Sequence, residues 1–95
     1  MENISSVIAR RMDAVAKLAL DRAAIEPVGI QRSQYETIAA NFEAYRASLL
    51  AGKLPPVGLG AGLGAARAIS EWNIADAKIL NAVEEIEHLY RTGAQ

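Results

Sequence analysis

Apolar side chains return at steps of three and four through most of this chain, the spacing that turns one face of a helix toward a core. The first stripe holds Ile4, Val7, Ile8, Met12, Val15, Leu18 and Ala19 and predicts a helix near 5–24. Asn3, Ser5 and Ser6 lie at its start, each with a side-chain oxygen able to accept from the free amides of a first turn. Pro27 sets the far limit, because its ring opposes helical geometry at Glu26. A second stripe, Tyr35, Ile38, Ala39, Phe42, Tyr45 and Leu49, predicts a helix near 33–51. Ser33-Gln34-Tyr35-Glu36 has the Ser-x-x-Glu form of a capping box and marks its start, and Gly52 stands where a left-handed terminator belongs.

The third stripe places Ile69, Trp72, Ile79, Val83, Ile86 and Tyr90 on the a and d positions of one heptad frame, with Asp76 the single polar residue among them. It predicts a helix over 65–91, roughly 40 Å at about 1.5 Å per residue, against roughly 30 Å for the other two. About two turns of it would then project beyond its companions with Ile86, Leu89 and Tyr90 still apolar. That overhang predicts self-association, with Ile69, Trp72, Ile79, Val83, Ile86, Leu89 and Tyr90 as the candidate interface. A costly Asp76 at an a position is expected at a bundle edge or paired with a basic residue.

Between the second and third stripes, residues 52–64 carry five glycines and two prolines and form the connection between helices. Gly60-Ala61-Gly62-Leu63-Gly64-Ala65 fits a dinucleotide fingerprint in letters, but no strand precedes it and no βαβ unit follows, so a nucleotide site ranks third among the functional readings. Gly58, Gly60, Gly62 and Gly64 are instead candidates for a close backbone contact, since Gly60-x-x-x-Gly64 lacks side chains that would hold two backbones apart.

Composition narrows the field. Hydrophobic residues make up 52% and aromatic ones 5%, which with nineteen alanines describes closely packed helices. The expected fold is one all-α domain spanning 1–95, a three-helix bundle or extended helical hairpin with a long C-terminal helix. A net charge of -1 gives no counterion-releasing surface, so nucleic acid is not an expected partner. The longest uncharged window, 54–66, holds two prolines and falls short of the roughly 20 residues that cross a bilayer, so no membrane role is expected. With no cysteine and no basic, apolar leader in the first residues, the expected location is cytoplasmic.

Catalytic chemistry finds no foothold. The chain has one histidine and no cysteine, and its serines lie at caps or on helices without a base at helical spacing. Glu85-x-x-His88 has the i, i+3 spacing of carboxylate-bridged metal bundles, with Glu84, Glu36 and Glu43 as possible companions. The expected function is therefore non-enzymatic and without a cofactor: a protein–protein interaction or assembly module, forming a homo-oligomer through its last helix and binding a protein partner. The alternative is a metal or small-ligand site completed between subunits by Glu85 and His88.

Overall fold

A computed structural model of the chain describes residues 3–60, 62–64, 69, 71–72 and 74–93. Among them are three helices and no strand: α1 (Ile4–Ile25), α2 (Ile30–Leu50) and α3 (Ala77–Thr92). The all-α class is as the periodicity predicts. The expected proportions of the third helix are not.

Helix α1 opens on Asn3, whose side-chain oxygen accepts from the Ser6 amide at 2.8 Å. It closes at Ile25 because Glu26, held by the following proline, is extended at φ -86 and ψ 141. The turn 26–29 is short, so α2 runs back antiparallel to α1. Helix α2 starts one turn ahead of the expected capping box: Gly29 is its N-cap, and the Ser33 amide already donates to the Gly29 carbonyl at 3.1 Å. Ser33 therefore lies inside the helix, with its carbonyl accepting from the Thr37 hydroxyl. Ile30, Gln31 and Arg32 tolerate helix well enough to add that turn once Pro27 and Gly29 have been passed. The other end is as expected. Gly52 adopts φ 70, its amide donates to Leu49 and the Lys53 amide to Ser48, the paired bonds of a Schellman motif.

Residues 65–76 were expected to form the first half of a long third helix. Part of that stretch (65–68, 70 and 73) lies outside the described residues, and Ile69 and Glu71 are helical. Residues 74–76 are not helical, and α3 begins only at Ala77. At 16 residues it is the shortest of the three, roughly 24 Å against roughly 33 and 32 Å. The physical reason is Asp76. Continued as helix it would bury a carboxylate in a seam, whereas at the N-cap it accepts from the Ile79 amide at 3.2 Å.

Two ion pairs fix the direction of α3. Arg22 meets Asp76 and Arg11 meets Glu85, so numbers fall along α1 as they rise along α3. Helix α3 is thus antiparallel to α1 and parallel to α2, and the connection 51–76 carries the chain back along the bundle. Helix α1 packs against both others, and its buried face is correspondingly wide: Ile8, Met12, Val15, Ala16 and Ala19 all enter the core. The alanines let the neighbouring backbones come near. Ile38, Ala39 and Phe42 of α2 and Ile79, Val83, Ile86, Leu89 and Tyr90 of α3 complete it, with Ile69 from the connection.

No overhang exists. Leu89 is 6% exposed and Tyr90 0%, both covered by their own chain. The stripe expected to face a second copy is the core of the monomer, each fully buried aliphatic member contributing about 1.5–3 kcal/mol of transfer free energy. The length mismatch that predicted self-association through the last helix is therefore overturned.

Candidate functional site

Three amides of the glycine-rich connection, those of Gly58, Gly60 and Leu63, are engaged within the chain. Helix α3 ends with exposed carbonyls, and the connection supplies donors to them: Gly58 to the Tyr90 carbonyl at 2.8 Å and Gly60 to that of Arg91 at 3.0 Å. The Tyr90 hydroxyl in turn donates to the Pro55 carbonyl. A third amide, that of Leu63, donates at 2.9 Å to the buried carboxylate of Glu87, a group that would repel an anion. A close backbone contact occurs within the chain between Gly58 and Gly93, whereas a Cβ at Gly60 or Gly64, the pair expected to let two backbones approach, would meet nothing within 4 Å. A Cβ on Gly93 would meet the Gly58 Cα at 3.3 Å, and one on Gly62 would meet the Glu87 carboxylate at 3.1 Å. Around Gly60 and Gly64 there is open space, and their φ values of 83 and 75 are what call for glycine there.

The Glu85 and His88 pair is not assembled into a site by one chain. Glu85 is held by Arg11 at 2.6 Å, both half exposed, and His88 is exposed with its carbonyl accepting from the Thr92 hydroxyl. Glu36 and Glu43 lie exposed on α2. Among the described residues no three histidine, cysteine, aspartate or glutamate side chains converge. No described helix is long and apolar enough to cross a membrane.

Of the large aliphatics exposed among the described residues, Leu20, Leu50 and Leu59 stand apart, whereas three gather at the end of the bundle where α1 turns into α2. Pro27 stops one helix and Gly29 starts the next, and the residues flanking that turn are large and aliphatic. Ile25 is 76% exposed, Val28 89% and Ile30 78%. Single exposed aliphatics are ordinary, but three around one turn form a patch. Across from Ile30 stand Trp72 and Ile74, both half buried, delivered there by the returning connection. Between them lies a groove of ≈ 420 Å³ walled by Ile30, Tyr35, Trp72 and Ile74, with Glu26 and Gln34 as polar lining. A neighbouring hollow on the far side of Ile30 is lined by Val28, Thr37 and again Trp72.

One lining residue, Tyr35, ties the groove to Asp76. The Asp76 carboxylate, 11% exposed, accepts from Arg22 Nε at 2.9 Å, from the Tyr35 hydroxyl at 3.1 Å and from the Ile79 amide. Burial alone would raise its pKa. The bonds from Ile79, Arg22 and Tyr35, with the Arg22 charge, outweigh that and hold it below the usual carboxylate value. The Tyr35 hydroxyl is pushed up, first by burial and then by its bond to Asp76. One carboxylate thus joins α1, α2 and the first turn of α3.

Trp72 was expected as a core or interface residue and stands on the groove wall between those roles. Ile25, Val28 and Ile30 were not foreseen. Their signal in the sequence is three bulky aliphatics packed around Pro27 and Gly29, in a turn that polar residues would ordinarily fill. Comparison with protein-family models, with curated proteins and with solved structures finds no match for this chain.

Proposed function

We propose that this chain is a non-enzymatic helical module that acts by binding another protein, and that it does so through the apolar end formed by Ile25, Val28, Ile30 and Trp72. The observation that carries the reading is the exposure of three large aliphatic side chains at one turn beside a groove whose wall holds the only tryptophan. Tryptophan is among the residues that most often carry the binding energy of a protein interface, and surrounding apolar side chains exclude water from it. The strongly bonded ionisable groups support it from the other side. Asp76 and Tyr35 act as a structural joint, and the part-exposed Asp13 and exposed Lys17 simply pair with each other, so their perturbed titration is explained without chemistry.

The test uses a photoreactive side chain at position 30 in the native host, together with light scattering of the purified chain at rising concentration. The reading expects either a mass of two chains or a cross-link to one discrete protein. In both cases Val28→Asp should abolish the signal while leaving the helical circular dichroism and thermal midpoint within a few degrees of the parent, because the position is exposed. A lone particle at high concentration with no discrete cross-linked product would sink it.

A further inference from the structure

We propose that the groove beside the α1–α2 turn selects a basic side chain, arginine or lysine, next to an aliphatic one in an extended segment of the partner protein. The proposal rests on the docking reading above and adds the chemistry of what docks. Beside the polar side chains of Glu26, Gln31 and Gln34, the groove offers two aromatic rings, Tyr35 and Trp72, and two isoleucines, Ile30 and Ile74. These surfaces suit the methylene stem of a long cationic residue and the aliphatic side chain beside it. An aromatic face within about 6 Å of a cation also attracts the charge itself.

The charges point the same way. Among the described residues lining the groove there is one carboxylate, Glu26, and no cation. Asp76, just below, is already matched by Arg22. Among the described residues, the charges that act on the Tyr35 hydroxyl are those of Asp76 and Glu26, opposed by Arg22. One opposing influence is present. The first turn of α2, at Ile30, has no side-chain cap and carries roughly half a positive charge as a helix N-terminus. A full carboxylate at Glu26 outweighs it, so the field in the groove favours a cation.

Trp72, as the sole tryptophan, reports occupancy directly by its fluorescence. Three blocked tripeptides serve as probes: acetyl-Ile-Arg-Ile-amide, and the same peptide with glutamine or with glutamate in the middle. The expected result is a saturable change in Trp72 emission with the arginine peptide, weakened roughly tenfold when glutamine replaces arginine and roughly threefold in Glu26→Gln, which removes the ion pair but keeps the aromatic contact, and reduced by added salt. Unchanged circular dichroism and melting of Glu26→Gln would show that the variant is folded. Equal binding of the arginine and glutamine peptides would overturn this proposal while leaving the apolar docking face, which the cross-linking test judges separately. Tighter binding of the glutamate peptide would overturn it in favour of the α2 N-terminus, and no response to any peptide at millimolar concentration would also overturn it.

Discussion

Asp76 bonds to all three helices. It caps α3, bonds Arg22 of α1 and bonds Tyr35 of α2. Asp76→Ala should cost about 2–3 kcal/mol, combining a lost cap with two half-buried groups left unmatched. Asp76→Asn keeps a competent cap and should cost about 1 kcal/mol less than that. The two variants also separate charge from geometry in acid. Because the folded pKa of Asp76 is lowered, its ionic contribution is complete above the unfolded value, about 3.9. It falls away as pH drops from there through the folded value, since the unfolded chain takes up the proton first. Urea titrations between pH 7 and pH 2 should show the parent losing more stability than Asp76→Asn below about pH 4. Parallel losses in the two proteins would place the acid sensitivity elsewhere. At this scale the sequence spoke only in part. A polar residue on the a position, expected to pair with a base or lie at an edge, does meet Arg22, but that partner is 54 residues away and no local pattern names it.

The elements divide into those closed by local chemistry and those closed from a distance. Asn3, Pro27 and Gly52 end their helices as expected, because each acts on amides or carbonyls within a few residues of itself. Ser33 misled for a related reason. Its capping geometry was available, but an extra turn from Ile30 satisfied the same amide through the Gly29 carbonyl. The end of α3 is closed both ways, by the left-handed Gly93 and by amides arriving from Gly58 and Gly60. Substitutions at these glycines should therefore differ in cost. Gly60→Ala meets no neighbour and should cost about 1 kcal/mol for its positive φ alone. Gly93→Ala also presses on the backbone of Gly58, which cannot rotate away, and should cost about 2–3 kcal/mol. Equal losses in chemical denaturation would mean that the two backbones are not in fact seated on each other.

For the molecule as a whole, helical periodicity was enough to specify an all-α bundle and most of its core, since burial repeats along each helix. What it left out is order in space. The parallel arrangement of α2 and α3, and the apolar end beside Trp72, depend on where the connection 51–76 returns, and no short window of residues encodes that. The overhang argument failed through the same gap: a heptad frame read across Asp76 joined two segments that the fold keeps apart. The joint at Asp76 has a consequence for how α3 comes and goes. Sixteen residues make a marginal helix when alone in water. Here the starting cap is also the tertiary clasp, and the final carbonyls are closed by a distant strand of chain. Undocking removes the Arg22 and Tyr35 bonds at one end and the Gly58 and Gly60 amides at the other, leaving α3 only its local caps at Asp76 and Gly93. Its amides should exchange with deuterium only through the complete opening of the core, at the rate of the slowest amides in α1; earlier exchange confined to α3 would show that it frays on its own.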